Sequence, residues 1–229
     1  MQLAVVVPVL NEAASIQSTL ARLQPLRARG AQVVVVDGGS TDSTPSMAKL
    51  HADQLLQSPR GRAQQMNAGA KAAISGGAEV LVFVHADSEL PEAADHLIDA
   101  ALGASGRAWG RFDVRIDGPP VLKIVSAMMN LRSRLTGICT GDQGIFVTRS
   151  AFEQLSGFAP IALMEDIDFS KRAKRISRPA AIGTCIVTSG RRWQRHGIWR
   201  TIMLMWRLRA AYFFGADPQR LAQRYRDAR

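Results

Sequence analysis

The sequence predicts an α/β fold built on a mixed, mainly parallel sheet with helices on both faces. Two observations predict it. Short Val-rich runs at 3–7, 33–36 and 80–84 carry no charge, as expected of parallel strands covered on both sides. Between them lie stretches of helical periodicity closed by glycines. Strands alternating with helices place ligands beyond the carboxyl ends of the strands, so the loops after those runs are where function is expected.

Residues 3–7 form the first strand and run into Pro8. The stretch 13–28 puts Ile16, Leu20, Leu23 and Arg27 on one side, with Gly30 as a stop. A second strand at 33–36 ends in Asp37-Gly38-Gly39. A short helix at 43–50 and a short strand at 54–56 follow, then a helix at 62–74 that ends at Gly76-Gly77. After the strand at 80–84, a helix runs from Pro91 to about Leu102. Residues 109–116 alternate like an antiparallel strand with one solvated face, which makes the sheet mixed. Residues 120–135 read as a helix, 145–147 as a strand, 166–176 as a helix and 182–187 as the last strand. From Trp199, the residues Trp199, Ile202, Met203, Trp206, Ala210 and Phe213 line one face of an amphipathic helix, and Arg200 and Arg207 share another. No repeat or linker interrupts the chain. The expected organisation is one domain over 1–190, with 191–229 as its basic, helical C-terminal extension.

Composition narrows the class. The 229 residues are 47% hydrophobic and 21% charged, which excludes disordered, collagen-like and coiled-coil chains. The longest uncharged stretch is the 12 residues from Pro179 to Gly190, too short to cross a bilayer. The start of the chain lacks a basic leader with an apolar core, so a cytoplasmic protein is expected, with attachment to the inner membrane face as an extension of that reading. Two cysteines, Cys139 and Cys185, build neither a disulfide framework nor a CxxC metal site. The net charge of +10 is uneven: residues 171–229 hold 15 Lys or Arg against two acids, and residues 1–170 hold 14 against 17. Such a tail suits a nucleic acid, an anionic membrane or a phosphorylated substrate, and equally a solvated basic face.

Three acidic loops leave the sheet: Pro8-Val9-Leu10-Asn11-Glu12, Asp37-Gly38-Gly39-Ser40-Thr41-Asp42 and His85-Ala86-Asp87-Ser88. Glycines at 38 and 39 allow close backbone approach, and an Asp at a strand end can accept hydrogen bonds from a base or ribose. Neither G-x-G-x-x-G nor a P-loop occurs. Taken singly, such an Asp also caps a helix or forms a turn, the reading that Asp42 before Ser43-Thr44 favours. Asp87 follows an apolar strand that delivers its carboxylate to the sheet's mouth, where one hard oxygen suffices for Mg²⁺ or Mn²⁺ if substrate phosphates complete the shell. His85 could bond a ribose, join the metal or be structural. Glu165 and Asp166 open a helix, as dipole partners or as a site; of the pair, Asp166 is better placed as a catalytic base.

These loops in order, together with Gly61-Arg62-Ala63-Gln64-Gln65-Met66-Asn67-Ala68-Gly69-Ala70, Gly141-Asp142-Gln143 and Leu163-Met164-Glu165-Asp166, resemble family 2 glycosyltransferases of the GT-A (Rossmann-like) fold. Among them the chain is most similar to the bacterial radical-SAM/selenodomain-associated subgroup. The resemblance implies a nucleoside diphosphate sugar donor, UDP by default, bound by Pro8, Glu12, Asp37, Gly38, Ser40, Arg62, Asn67, His85, Ala86 and Asp87. It implies Mg²⁺ or Mn²⁺ on Asp87. Asp166 would be the base of an inverting displacement, and Gly141, Asp142, Gln143 and Glu165 would lie on the acceptor side. The family's D-x-D has His85 at its first position, and the Q-x-x-R-W of processive synthases is absent, which favours transfer of one sugar, possible acceptors including a lipid-linked one. Residues 191–214 are expected either to pack on the domain or on a second subunit of a homodimer, or to dock on an anionic membrane surface. The rival functions are a nucleic-acid-binding module, which 6% aromatic content and the acidic loops disfavour, and a sugar-1-phosphate nucleotidyltransferase, which expects a Gly-rich basic loop after the first strand, where Asn11-Glu12-Ala13-Ala14 stands.

Overall fold

The computed structural model describes residues 1–227, without the side chains of Arg192, His196, Arg226 and Asp227; the last two residues of the expected 191–229 extension lie outside the described residues. In chain order the elements are β1 (Leu3–Val9), α1 (Ile16–Ala28), β2 (Gln32–Asp37), α2 (Thr44–Lys49), β3 (Gln54–Gln57), α3 (Arg62–Ser75), β4 (Val80–Phe83), β5 (Ser88–Glu89), α4 (Ala94–Ser105), β6 (Trp109–Asp117), α5 (Val121–Thr136), β7 (Phe146–Thr148), α6 (Arg149–Gln154), α7 (Glu165–Ala173), β8 (Ala180–Ser189), α8 (Arg191–His196), α9 (Ile198–Phe213) and α10 (Pro218–Asp227). A 3₁₀ turn over Gly141–Gln143 precedes β7.

The sheet order is β3-β2-β1-β4-β7-β6-β8-β5, with β3, β2, β1 and β4 parallel. The two-residue alternation of side chains along a strand sorts these strands between two cores. Leu3, Val5, Val7, Val33, Val35, Val80 and Val82 face Ile16, Leu20 and Leu23 of α1. Ala4, Val6, Val34, Val36, Leu81 and Phe83 face Ala63, Met66, Ala70 and Ala73 of α3. Burying each Val this way contributes about 1.5–3 kcal/mol. The second contact is close: a Cβ on Gly69 would lie 2.4 Å from Val6 Cγ1, so α3 needs glycine there.

Two expectations are corrected. Residues 109–116 do not form a simple antiparallel strand. β6 is antiparallel to β7 only at Trp109 and Gly110, and pairs in parallel with β8 along the rest, with an irregularity at Phe112/Asp113. Its first four residues are buried on both faces, and alternation starts only afterwards. The first helix begins at Ile16, not at 13, because the backbone of residues 11–13 is bonded elsewhere: Asn11 N–H donates to Ser40 Oγ (2.9 Å), Glu12 N–H to Thr44 Oγ1 (2.8 Å) and Ala13 N–H to Asp42 Oδ2 (3.2 Å).

The tail helix packs on the domain through a face other than the one expected. Leu208, with Leu204, Met205, Ala211 and Tyr212, meets Met164, Ile167 and Leu221. Trp199, Met203, Trp206 and Phe213 instead face outward, Trp199 and Phe213 being 73% and 74% exposed. No helix among the described residues is long and apolar enough to cross a membrane.

Candidate active site

Because β1, β2 and β4 run in parallel, Val9, Asp37 and Phe83 end at one edge of the sheet, and all three acidic loops leave from it. α3 starts there with Arg62, and α7 presents Glu165 and Asp166. Gln65, buried on α3, spans the two central strands: its Nε2 donates to Val9 O (2.7 Å) and Val36 O (2.9 Å). A Cβ on Gly38 would lie 3.0 Å from that amide, so the glycine lets the second loop close over it. Sequence reasoning missed Gln65 as a site residue; a glutamine on the Ala- and Met-lined face of a helix was the available signal.

Asp37 is 1% exposed, and its carboxylate is occupied by its own turn, accepting from Gly39 N–H (3.1 Å), Ser40 N–H (3.0 Å) and Ser40 Oγ (2.5 Å). Asp42 accepts from Thr44 N–H at 3.0 Å and ties α2 to Ala13, in keeping with the cap-or-turn reading, while Ser43 takes the N-cap position itself. Its hydrogen bonds to Thr44 hold its pKa below the ordinary carboxylate value. Pro8, Glu12, Arg62 and Glu165 line one recess of about 250 Å³, closed on the far side by Ala222 and Tyr225 of α10.

At the centre, Arg62 lies 3.6 Å from the buried Glu165. Burial pushes the Glu165 carboxyl up, Arg62 opposes this, and the neighbouring Asp166 adds to it. Asp166 accepts from Gly141 N–H (2.9 Å) and Ile167 N–H (2.8 Å), which fixes the 3₁₀ turn against α7. From that turn, Asp142 Oδ1 meets His85 Nδ1 at 3.1 Å. A Cβ on Gly141 would stand 2.5 Å from His85 Nε2, so only glycine lets the imidazole lie there. Arg62, His85, Gly141, Glu165 and Asp166 thus share one small depression.

Asp87 stands at the junction of a cavity of about 390 Å³ between α5 and α9 and a second of about 270 Å³ beside α1. Its backbone C=O accepts from Ser189 N–H (3.1 Å), and the adjacent Ala86 C=O accepts from Thr19 Oγ1 (2.6 Å), which fixes the loop. Its own carboxylate makes no hydrogen bond or ion pair among the described residues, leaving its oxygens available. No group of three or more His, Cys, Asp or Glu that could hold a metal occurs among the described residues. A divalent ion held by the Asp87 carboxylate would need substrate phosphates and water to complete its shell.

Two expected site residues are placed elsewhere. Asn67 Nδ2 donates to Phe158 O (2.8 Å) and its Oδ1 accepts from Phe158 N–H (2.9 Å), so its amide clamps the segment after α6. Gln143 is fully buried, caps the 3₁₀ turn through Thr140 and reaches Asn130 at 3.3 Å. Both amides are committed to the fold. Arg132 of α5 and Arg209 of α9, unforeseen in the sequence, line the large cavity.

Fold and site together define an α/β protein whose candidate ligand groups gather on one sheet edge. The sequence profile of glycosyl transferase family 2 matches residues 4–151, and the chain belongs to that family. It is 31% identical over 105 residues to the succinoglycan biosynthesis protein ExoA of Rhizobium meliloti, a match spanning 43% of this chain and 32% of that protein. The chain thus spans about a third of that curated relative. Among solved structures it resembles S. aureus TarS 1-349 in complex with UDP-GlcNAc, with a TM-score of 0.68 and 19% identity over 83% of this chain and 59% of that one. It also resembles the mannosyltransferase PcManGT of Pyrobaculum calidifontis in complex with GDP-Man and Mn²⁺, with a TM-score of 0.64 and 23% identity over 95% and 66% of the two chains. Glucosyl-3-phosphoglycerate synthase of Mycobacterium tuberculosis, in complex with phosphoglyceric acid, gives a TM-score of 0.61 and 19% identity over 82% and 70%. The fold is that of GT-A glycosyltransferases.

Proposed function

We propose that this chain is a metal-dependent, inverting glycosyltransferase that moves one sugar from a nucleoside diphosphate sugar, UDP by default, to an acceptor hydroxyl. The observation that carries this reading is the meeting of Arg62, Glu165 and Asp166 in one depression at the sheet edge where Pro8 and Glu12 line the adjoining recess. The nucleoside would occupy that recess, beside Glu12 and the Asp37–Ser40 turn. Arg62 would face the diphosphate, its guanidinium held in place by buried Glu165.

Asp166 accepts the proton of the acceptor hydroxyl as that oxygen bonds to the anomeric carbon. The bond from that carbon to the diphosphate oxygen breaks on the opposite side, so configuration inverts and the nucleoside diphosphate leaves. The proton stays on Asp166 until solvent removes it. Asp87 would hold a divalent ion on the diphosphate, which when bound supplies Lewis acidity to the departing group. The bonds from Gly141 and Ile167 aim the Asp166 carboxylate, so no rotamer entropy is lost in the reaction step.

The test is calorimetric titration of UDP, GDP and their sugar conjugates with and without Mn²⁺. We expect micromolar, metal-dependent binding of one nucleotide. In Asp87→Ala the Mn²⁺-dependent gain, at least tenfold, should vanish while metal-free binding stays unchanged. No binding of any nucleotide under any metal condition would overturn the reading.

Attachment to an anionic membrane belongs to the same proposal. The outward face of α9 is joined by Ile124, Met128, Leu131 and Leu135, an exposed stripe on one face of α5. Exposed Lys123, Arg134, Arg200 and Arg207 flank these side chains. Apolar and cationic groups so mixed suit a bilayer interface, and would bring a lipid-linked acceptor to the site.

A further inference from the structure

Two cations, Arg132 and Arg209, line the cavity between α5 and α9, and neither forms an ion pair with a carboxylate among the described residues. Arg132 Nη2 and Arg209 Nε are buried and have no hydrogen-bond partner among the described residues. A buried donor left unmade costs about 1–3 kcal/mol, more when charged, so two guanidiniums converging on one space are a destabilising arrangement unless an anion completes them. Burial above all, with the nearby Arg209 adding to it, lowers the pKa of Arg132 to about 10. Met128, Met129, Met205, Trp193 and Trp206 give the cavity an apolar wall, while Asp87 and Asp142 line it as well. At about 390 Å³ the cavity is in the size range of small-ligand sites.

We propose that Arg132 and Arg209 form an oxyanion subsite for the acceptor, which carries a phosphate group on the two guanidiniums and an apolar portion against the Met and Trp walls. This rests on the glycosyltransferase reading and names its acceptor class. The subsite lies near the proposed base, since Asp142 on the cavity wall adjoins Gly141, whose N–H donates to the Asp166 carboxylate (2.9 Å). A hydroxyl on the same molecule can therefore face Asp166 while the phosphate stays clear of the reacting carbon. Arginine suits the task because its planar fork binds phosphate in two places.

The test uses the full chain and needs no donor. Dodecyl phosphate below its micelle concentration, glycerol 3-phosphate, inorganic phosphate and neutral dodecyl maltoside are each titrated while the emission of Trp193 and Trp206 is followed. We expect dodecyl phosphate to bind at least tenfold more tightly than the neutral amphiphile. Arg132→Gln and Arg209→Gln should each weaken it about tenfold, with Arg132→Lys retaining part of the affinity. Tighter binding of dodecyl phosphate than of glycerol 3-phosphate identifies a lipid phosphate as the source. Equal binding of the two, lost together in the double variant, identifies a small phosphorylated acceptor. Either result supports the subsite. Equal binding of the neutral and anionic amphiphiles, undiminished binding by the double variant, or no binding of any phosphate would overturn it. Thermal unfolding of the variants excludes misfolding as the cause, since removing two like charges from one cavity should not lower Tm. UDP titration of the same preparations tests the transferase reading separately.

Discussion

The Arg62 guanidinium lies 3.6 Å from the Glu165 carboxylate, one partner 42% exposed at the start of α3 and the other 5% exposed at the start of α7. The asymmetry decides what each loss would do. Removing Arg62 strands a buried carboxylate already pushed above its ordinary value by burial and by Asp166. In the unfolded chain that carboxyl ionises freely, so its penalty in the folded state grows as pH rises above about 4.5. Arg62→Gln should therefore lower Tm more at pH 8 than at pH 5, by about 1–2 kcal/mol of stability after allowing for the solvent around Arg62. The double variant with Glu165→Gln should recover most of the loss. Equal destabilisation at both pH values would show that the pair does not carry the effect.

Asp166→Asn separates binding from chemistry. The amide keeps the size of the side chain and one carbonyl oxygen for Gly141 N–H or Ile167 N–H, but not both, so a stability loss of about 1 kcal/mol is expected. Nucleotide affinity should stay within about twofold by calorimetry. Sugar transfer should fall by about 10²–10⁴-fold, the usual contribution of a general base. Retained transfer would remove Asp166 from that role.

The outward apolar face of α9 gives a third expectation. Trp199 and Phe213 project from it, and Phe214 lies just beyond its end, 83% exposed. Replacing all three with Ala should reduce co-sedimentation with anionic vesicles at low salt several-fold and leave Tm nearly unchanged, since none is in the core. Raising salt towards 1 M should release the protein, because the Debye length shrinks to about 3 Å. Failure of the unaltered protein to co-sediment with such vesicles would refute membrane docking.

Much of the fold was legible because it rests on local patterns. The runs at 3–7, 33–36 and 80–84 read as strands covered on both faces, and their odd and even residues do enter different cores. What was not legible depended on chain segments meeting across the fold. The parallel pairing of β6 with β8 joins residues about 70 apart, and the alternation at 113–117 says only that one face is wetter. Arg132 and Arg209 lie on different helices, and periodicity shows which face a residue occupies but not what faces it. The acidic loops do leave one sheet edge, as their strands predict, but their single residues are harder to read. Asp37 reads as a ligand contact in sequence, yet Gly39 and Ser40 follow it with donors close enough to saturate its carboxylate. Asn67 and Gln143 are expected at the site from the family resemblance alone, whereas Asn67 holds the backbone of Phe158 and Gln143 holds Thr140 N–H and the Asn130 side chain.

The last expectation concerns acid. Asp42, Asp53 and Asp95 are all held below the ordinary Asp value. For Asp42 the largest cause is its hydrogen bond with Thr44, for Asp95 its bond with Arg29, and for Asp53 the bonds to Arg27 and Val33 outweigh an opposing burial. A carboxyl whose folded pKa lies below its unfolded value adds stability above the unfolded pKa and loses it as pH falls through the folded one. Tm should therefore be flat with respect to these groups down to about pH 5 and fall progressively below pH 4. Glu165 works in the opposite direction, since its raised carboxyl gains relative stability on protonation, which softens the fall. Asp53→Asn and Asp95→Asn should each lower Tm at pH 7 and flatten the acid limb, while Glu165→Gln should steepen it. The three profiles, measured by thermal unfolding between pH 3 and pH 7, distinguish carboxylates bonded at the surface from the one buried beside Asp166. An acid limb unchanged in all three variants would mean that other groups govern acid unfolding.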